Sequence, residues 1–393
     1  MPVEILEKIF DEILPSRAMI EIGPSRRDSL GPSGLCLNWS QSQGWRVPEL
    51  MLVSKSFREA VRLQHSTPIP ALGPNDCLIR VQAVSLNYRD IATPLGLYPG
   101  AGKDGIVPTS DGAGTIVAVG DDVSEFQAGD RVCNTFFLDY QDGIPTAESR
   151  AGSLGVRNDG PLRQYAVFPT TALVSAPKHL NARQASTLPC AALTAWNALM
   201  GLGGCRLQAG QSILTQGTGG VSLFAIQFAL ALGATVIATT SSDTKADRLR
   251  ALGVKHIINY RTDPNWGETA RKLSPNGLGV QHVLEVGGEA TMAQSFKAAA
   301  LGGCIDIIGF LAKKDGEPSK VSFWDAFTGL NVVRGIGVGN RKQFGEMNKF
   351  MEEKGIAPIV DERVFGFGEA REAYEYLKKQ EFFGKVVIDV AKE

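Results

Sequence analysis

The stretch from Thr215 to Ser242 constrains the fold of this 393-residue chain more than any other part of the sequence. A short apolar run, Ser212–Thr215, leads into the glycine-rich turn Gly217–Val221. A helix-like segment follows, and then a second run rich in β-branched residues, Thr235–Thr240. A strand, a tight turn, a helix and a strand within about 30 residues predict a βαβ unit of the kind that binds a dinucleotide.

The turn supplies the first candidate binding residues. Glycines allow the backbone to approach a pyrophosphate, and the unpaired N–H groups at the start of the next helix favour an anion. The residues that we expect to bind the cofactor here are Gly217, Thr218, Gly219, Gly220 and Val221. The GxGxxG pattern is incomplete because Ser222 replaces its third glycine. A glycine-rich loop of a different α/β protein is the alternative, but the flanking periodicity favours NAD(P)H.

Composition and charge exclude several classes of partner. The formal net charge is −1, which gives no electrostatic basis for binding nucleic acid or an anionic membrane. No apolar run approaches the roughly 20 residues of a membrane span. We therefore expect neither nucleic acid nor a membrane as a partner, and the NAD(P)H hypothesis adds the expectation of a small-molecule substrate.

The cysteines and histidines predict neither disulfides nor a metal site. The six cysteines are scattered and form no CxxC motif, which argues against a disulfide framework and a structural zinc site. We therefore expect a cytoplasmic location. The four histidines lack metal-ligand spacing, and we expect them on the surface or in loops.

The N-terminal 44 residues differ from the rest of the chain. Met1–Leu14 carries apolar residues at helical spacing, and a linker rich in Pro, Ser, Gly and Arg follows. The opening resembles the first helix of an F-box, so an adaptor is one alternative. An amphipathic extension that docks on the body is the other, and we favour it.

Two further domains are predicted after this extension. Residues 45–186 are dominated by strand and turn patterns, such as the alternating segment Asp76–Ala83. Residues 187–336 alternate between strands and helices, which indicates a doubly wound parallel sheet. Residues 337–393 are expected to return to the first domain. The predicted fold class is α/β, with a β-barrel beside a Rossmann sheet.

Seven ordered blocks between residues 84 and 388 resemble the zinc-free, quinone-oxidoreductase-like branch of the medium-chain dehydrogenases/reductases, and the resemblance covers roughly residues 45–390. The blocks are VSLNYRDI (84–91), SDGAGTIVAVGDDVSEFQAGDRV (110–132), LPCAALTAWNAL (188–199), GTGGVSLFAIQFA (217–229), INYRTDPNWGE (258–268), LEVGG (284–288) and FGKVVI (383–388). The resemblance implies a GroES-like β-barrel catalytic domain, a Rossmann cofactor domain and an active site in the cleft between them.

The positions that hold catalytic zinc in related enzymes differ here. The resemblance puts Asn87 and Ser110 where the first two ligands would be, and Cys190 at the third. A catalytic zinc site needs three protein ligands, so we predict no metal. Without a metal, oxidation of an alcohol is disfavoured, and reduction of a quinone or of a C=C bond conjugated to a carbonyl is expected.

The resemblance also implies roles for individual residues. Asn87 and Tyr88 are candidate donors to the substrate oxygen, with Asn87 also near the nicotinamide, and Thr194 is expected to contact the nicotinamide. Further expected cofactor residues are Tyr260, Gly309, Phe310 and Lys385.

The end of the second Rossmann strand predicts NADPH rather than NADH. An acidic residue usually binds the ribose diol of NADH there, but this chain has hydroxyls and a lysine, namely Ser241, Ser242 and Lys245. A carboxylate would repel the 2′-phosphate of NADPH, and we expect the nearby Asp243 to point away as a helix cap.

Three alternatives and one partner complete the prediction. The alternatives are a trans-acting enoyl reductase of a polyketide-type pathway, the non-catalytic F-box-like adaptor, and zinc-dependent alcohol oxidation. The resemblance implies a homodimer that forms through the edge strand near Asn331–Gly337.

Overall fold

The computed structural model describes residues 71–95, 97–98, 105–309 and 321–391. The predicted N-terminal extension of residues 1–44 and the predicted cofactor residue Phe310 lie outside the described residues. Within the described ranges no helix has the length and apolar character that crossing a membrane requires.

Thirteen strands of the described chain form two sheets. In chain order they are β1 (Asp76–Ser85), β2 (Asp111–Val119), β3 (Arg131–Asn134), β4 (Tyr165–Pro169), β5 (Leu173–Ser175), β6 (Ser212–Gln216), β7 (Thr235–Thr240), β8 (His256–Asn259), β9 (Val280–Glu285), β10 (Ala299–Ile307), β11 (Val332–Gly335), β12 (Val360–Gly366) and β13 (Lys385–Asp389).

The α-helices of the same ranges are mostly short. They are α1 (Tyr88–Ala92), α2 (Ala147–Ala151), α3 (Ala182–Ala185), α4 (Leu193–Met200), α5 (Gly220–Ala231), α6 (Asp243–Ala251), α7 (Trp266–Leu273), α8 (Met292–Ala298), α9 (Phe323–Thr328), α10 (Arg341–Lys354) and α11 (Ala370–Lys379). A π-helical turn, Leu188–Ala192, precedes α4.

The first sheet is the predicted GroES-like β-domain; it has seven strands, and its barrel is not closed within the described residues. Its order is β12-β13-β1-β2-β3-β5, with β4 attached to β1. One edge of β1 is shared, since Asp76–Arg80 pair with β4 and Ala83–Ser85 pair with β13. A 3₁₀ turn after β4 then carries the chain to β5, which pairs with β3 rather than with β4. The sheet therefore does not close on itself within the described chain.

The second sheet is the predicted Rossmann sheet. Its six strands are all parallel, in the order β11-β10-β9-β6-β7-β8. Counted from β6, this is the strand order of a dinucleotide-binding fold, and the order reverses between β6 and β9. Ligands of such sheets bind where the order reverses, outside the carboxyl ends of the strands. The α/β fold class is thus confirmed.

Aromatic side chains fix the first Rossmann helix, α5, against its neighbours. The ring of Phe228 in α5 lies 5.6 Å from that of Trp196 in α4 and 6.1 Å from that of Phe350 in α10. Phe224, one turn earlier in α5, is also buried. Burial of large aromatic side chains provides much of the packing energy of a core. This cluster therefore packs α5 against α4 and α10.

The π-helical turn Leu188–Ala192 joins the two sheets. It contacts α5 on the Rossmann side and strands β2 and β3 of the seven-stranded sheet. The domain boundaries predicted at residues 186 and 336 remain predictions. The two sheets, however, draw their strands from different parts of the chain, 76–175 with 360–389 and 212–335.

One histidine departs from the expectation that histidines lie on the surface or in loops. His282 lies in β9 and is 2% exposed. Its Nδ1 is 3.0 Å from Asp306 Oδ2, and its Nε2 is 2.7 Å from the carbonyl oxygen of Cys205. Arg334 also bonds Asp306, at 2.8 Å, so this buried polar cluster ties β9, β10 and β11 together.

Candidate active site

The glycine-rich loop after β6 leaves the N-terminus of α5 open. Gly217 has a φ of +72°, and its N–H donates to the carbonyl oxygen of Thr239 at 2.8 Å. Gly219 is the N-cap residue of α5 and brings no capping side chain. A Cβ built on Gly217 or Gly219 would find no described atom within 4 Å. The first N–H groups of α5 therefore face space into which an anionic group could fit.

The other residues of this loop support its shape. Ser222, which replaces the third glycine of the motif, donates its hydroxyl proton to the carbonyl oxygen of Gln216 at 2.8 Å. This bond closes the turn from β6 into α5. Thr218 is buried and Val221 is half-buried, so the open surface of the loop comes from its glycines.

A buried carboxylate fixes the loops at the carboxyl ends of β6 and β9. Glu285 is fully buried at the end of β9 and accepts five hydrogen bonds. The donors are Gln216 Nε2, the N–H groups of Gly287 and Gly288, and the hydroxyls of Thr291 and Ser295. Sequence analysis included Glu285 in the block LEVGG but gave it no role. An acidic residue at the end of an apolar strand, two residues before a pair of glycines, was the available signal.

Gly309 lies where β9 and β10 end. A Cβ on Gly309 would lie 2.7 Å from the carbonyl oxygen of Val286, which is closer than real contacts allow. Its N–H donates to the carbonyl oxygen of Glu285 at 3.3 Å. Only glycine permits this approach, which places Gly309 at the carboxyl edge of the sheet where a cofactor would bind.

The residues predicted to recognise a 2′-phosphate lie together after β7. Ser242 is the N-cap of α6, and its Oγ accepts the N–H of Lys245 at 3.3 Å. Burial lowers the pKa of Lys245, whose ammonium donates to the carbonyl oxygen of Gln380 at 3.0 Å. Tyr260 donates its N–H to the carbonyl oxygen of Thr240 at 3.2 Å, and its side chain is exposed.

The helix cap at this point is not the predicted one. Ser242 caps α6, whereas Asp243 was expected to do so. The carboxylate of Asp243 instead accepts a hydrogen bond from Asn259 Nδ2 at 3.3 Å. Ser241, which precedes the cap, is half-buried. The end of β7 itself, Thr239–Thr240, carries hydroxyls and no carboxylate.

Lys385 brings the Asn87 loop next to the start of α5. Its Nζ donates to Asn87 Oδ1 at 2.5 Å and to the carbonyl oxygen of Leu86 at 2.8 Å. A Cβ on Gly220 would lie 2.6 Å from Cδ of the same lysine. The Lys385 side chain therefore contacts both Asn87 and Gly220, so that three residues predicted for the site lie together.

A second buried carboxylate, Asp111, faces this lysine. Asp111 Oδ2 lies 3.7 Å from Lys385 Nζ, and both side chains are almost completely buried. Ser110 donates to Asp111 Oδ1 at 2.7 Å. Buried charges are stable when they are paired and hydrogen-bonded, and this cluster meets both conditions. Asp111 falls within a block that carried the family resemblance, but sequence analysis gave it no role.

The helix that follows Asn87 is held by Asp90 and Arg89. Asp90 Oδ2 accepts the N–H of Asn87 at 2.8 Å, which fixes the backbone of the loop. Burial raises the pKa of Asp90 to about 6, although the nearby Arg89 guanidinium lowers it. Arg89 lies over the ring of Phe136, 4.5 Å from its centre, and donates to the carbonyl oxygen of Leu154.

The remaining predicted residues lie on neighbouring elements. Tyr88 is the half-buried first residue of α1, and Thr194 is buried in the first turn of α4. Cys190 lies in the π-helical turn, where desolvation raises the pKa of its thiol above the ordinary range and Asp111 adds to the shift. A thiol with a raised pKa is a poor nucleophile.

The residues at the expected metal position do not fit Zn²⁺. Asn87 offers an amide oxygen that already accepts from an ammonium, and Ser110 offers a hydroxyl that donates to Asp111. Only Cys190 offers a side chain of a type that commonly binds zinc. Catalytic zinc takes three ligands, usually from His, Cys and carboxylates. Among the residues that the structure describes, no group of three His, Cys, Asp or Glu side chains could hold a metal ion.

Two family models match the chain, one over most of the seven-stranded sheet and the other over most of the Rossmann sheet. The model described as alcohol dehydrogenase GroES-like domain matches residues 73–178, and zinc-binding dehydrogenase matches residues 220–353. A zinc-type alcohol dehydrogenase-like protein of Schizosaccharomyces pombe is 46% identical over 320 residues, which are 81% of this chain and 92% of the relative. The chain belongs to the zinc-type alcohol dehydrogenase-like family of medium-chain dehydrogenases/reductases.

Other relatives show the range of this family. A solved NAD-dependent alcohol dehydrogenase is 30% identical, with a TM-score of 0.73, and the match covers 83% of this chain and 95% of that one. An acryloyl-coenzyme A reductase of Sulfurisphaera tokodaii is 27% identical over 333 residues, 82% of this chain and 94% of the relative. The family binds a nicotinamide cofactor, and its members include both alcohol dehydrogenases and reductases of unsaturated thioesters.

Proposed function

We propose that the protein is an NADPH-dependent reductase that transfers hydride, without a metal, to a quinone or to a C=C bond conjugated to a carbonyl. The observation that carries this proposal is the contact between Lys385 and Asn87 beside the open glycine loop. A buried ammonium contacts Asn87, the residue that the resemblance puts at the first zinc-ligand position. The similarity to an acryloyl-coenzyme A reductase supports the choice of acceptor.

The residues of the cleft divide between binding and catalysis. When bound, the reduced nicotinamide supplies the hydride. Asn87 and Tyr88 are proposed to donate hydrogen bonds to the carbonyl oxygen of the acceptor, where negative charge develops. Thr194 is proposed to contact the nicotinamide. Tyr88 or water then delivers the proton to the enolate carbon.

The preference for NADPH rests on the residues after β7. A carboxylate at the end of the second strand would favour NADH. This chain has hydroxyls and an ammonium there instead, from Ser241, Ser242 and Lys245. The exposed Tyr260 lies against the same strand end and can cover the adenosine phosphate. We propose that these four residues bind the 2′-phosphate.

The partner and the location are further parts of the proposal. The edge strand β11 ends the Rossmann sheet and follows an exposed aromatic segment, so a second copy of the chain is the proposed partner. The five described cysteines are free thiols, which supports a reducing compartment such as the cytoplasm. Fractionation of cells that express a tagged chain would test the location.

One experiment tests the reaction. NADPH consumption is measured against quinones, enones, enals and enoyl thioesters, with the products identified and the metal content of the same preparation determined. We expect saturated products and activity that chelator treatment leaves unchanged. Oxidation of alcohols that depends on bound zinc would contradict the proposal. Reduction of thioesters on a carrier protein, with free acceptors unchanged, would favour the enoyl reductase of an assembly line.

A further inference from the structure

The backbone register of the seven-stranded sheet explains why Lys385 meets Asn87. Strands β1 and β13 pair antiparallel, with Ser85 opposite Val387. Continuing this register by two residues places Lys385 opposite Asn87, directly beyond the end of the ladder. The sheet therefore delivers the lysine to the asparagine, and the contact does not depend on a flexible loop.

The chemistry of the two side chains permits only one orientation of the amide. An ammonium group donates hydrogen bonds and cannot accept them, so it must face the carboxamide oxygen. The structure has this arrangement, with Lys385 Nζ 2.5 Å from Asn87 Oδ1. A rotated amide would point its N–H₂ group at the ammonium, in a place where Lys385 is only 3% exposed.

The other end of the amide has no partner among the residues that the structure describes. Asn87 Nδ2 is buried and finds no hydrogen-bond acceptor among the described residues. A buried donor without an acceptor costs free energy, and native proteins seldom keep one without a reason. Because Lys385 prevents the amide from turning, this donor remains directed away from the lysine, with its hydrogen-bonding capacity unused.

We propose that Lys385 is a positioning residue whose ammonium holds the Asn87 amide so that Nδ2 donates to the carbonyl oxygen of the acceptor. The proposal rests on the reductase function given above. Asp111, 3.7 Å from Nζ, balances the charge of the lysine. Lys385 acts through Asn87 and need not touch the substrate, so its effect is on the rate of hydride transfer.

Two substitutions separate the parts of this arrangement. Lys385→Met removes the donors but keeps an unbranched chain across Gly220. Asn87→Asp keeps an oxygen for Lys385 but loses the Nδ2 donor. We expect each to lower kcat at least 10-fold, while the Kd for NADPH changes by less than twofold. The double variant should be no more than twofold slower than Asn87→Asp. Lys379→Met, at an exposed lysine of α11, is the control and should change neither quantity.

Two kinetic outcomes would overturn the proposal. If Lys385→Met weakens NADPH binding 10-fold and its kcat recovers at saturating NADPH, the lysine is a cofactor ligand. If the losses of the two single variants multiply in the double variant, Lys385 and Asn87 act independently. Both outcomes are measured with an acceptor that the wild-type enzyme reduces.

A spectroscopic measurement tests the same arrangement without turnover. In protein labelled with ¹⁵N at asparagine, the side-chain amide signal that disappears in Asn87→Asp belongs to Asn87. We expect Lys385→Met to shift it, and the control Lys379→Met to leave it in place. An unchanged signal in Lys385→Met would overturn the positioning role even if none of the tested acceptors were reduced. If Lys385→Met does not fold, a titration of the wild-type protein tests the proposal instead. A saturated ketone added to the NADPH complex should shift the Asn87 signal, and no shift would overturn the proposal.

Discussion

The side chain of Lys385 crosses the backbone of Gly220 so closely that a Cβ on this glycine would lie 2.6 Å from Cδ of the lysine and 3.1 Å from Cβ of Ala191. Gly219, one residue earlier, would place its Cβ in open space. The two neighbouring glycines therefore serve different purposes. Gly220 makes room for a protein side chain, and Gly219 leaves room for a ligand.

This difference predicts opposite results for two alanine substitutions. Gly219→Ala should lower NADPH affinity at least 10-fold, because its methyl group lies where the pyrophosphate approaches. Its stability should fall by only about 0.5–1 kcal/mol, because Gly219 is the N-cap of α5 and alanine is a poorer N-cap residue than glycine. Gly220→Ala should cost about 1–3 kcal/mol, since Lys385 must move. Urea denaturation measures the stability of each variant, and NADPH titration measures its affinity for the cofactor. Equal loss of stability in the two variants would contradict this interpretation.

Lys245 provides the test of cofactor preference. Lys245→Ala should raise the KM for NADPH at least 10-fold and leave the KM for NADH unchanged, because only the former carries the 2′-phosphate. Lys255→Ala, at an exposed lysine before β8, is the matched control. Initial rates with the two cofactors provide the comparison. Parallel increases for both cofactors would show that Lys245 supports the fold near Gln380 and does not recognise the phosphate.

The buried carboxyl of Asp90 predicts a pH dependence of stability. Its pKa in the folded protein is about 6, above the ordinary value of 3.8, because burial disfavours the charged form. The folded state therefore binds more protons than the unfolded state in this window, and stability falls as pH rises through it. The stability of Asp90→Asn relative to wild type should rise by about 2 kcal/mol as the pH increases from roughly 4.5 to 7.5. Urea titrations at several pH values would detect this gain, and a constant difference would exclude Asp90 as its source.

The carboxylate of Glu285 should be essential for the loops that border the cofactor. Glu285→Gln replaces one acceptor oxygen by a donor that faces hydroxyl and N–H groups. Leaving such buried donors unpaired should cost about 2–4 kcal/mol. Glu346→Gln, at an exposed position of α10, should leave stability unchanged. Chemical denaturation measures both. A cost below about 1 kcal/mol would mean that the network tolerates an amide.

The sequence predicted the Rossmann half well because its signals are local. Apolar strands, a glycine turn and helical periodicity locate β6, α5 and β7 within a few residues. Strand β12 was missed because its burial follows no alternation, so Val360–Gly366 lacks the period-2 signal of a half-buried strand. The open form of the first sheet depends on which strand β5 pairs with, a long-range choice that no local pattern encodes.

The site shows the same division between local and long-range information. Gly217, Gly219 and the residues after β7 could be named from their neighbours in sequence. The contact between Lys385 and Asn87 joins residues 298 positions apart and follows from the register of β13 on β1. The burial of His282 likewise depends on Asp306 and Arg334 on adjacent strands, so its position could not be predicted from spacing alone.

The last prediction concerns the proposed homodimer. Strand β11 is at the end of the Rossmann sheet, and Phe323, Trp324 and Phe327 of α9 are 73%, 57% and 63% exposed. An open strand edge beside exposed aromatic side chains is typical of a surface that a partner covers. Val333→Arg in β11 should convert the dimer into a monomer, because charge on an edge strand opposes pairing. Light scattering after size exclusion measures the mass, with Lys349→Arg on α10 as the control. A monomeric wild type would exclude the dimer. If Val333→Arg and Trp324→Glu both remain dimeric, the interface lies elsewhere.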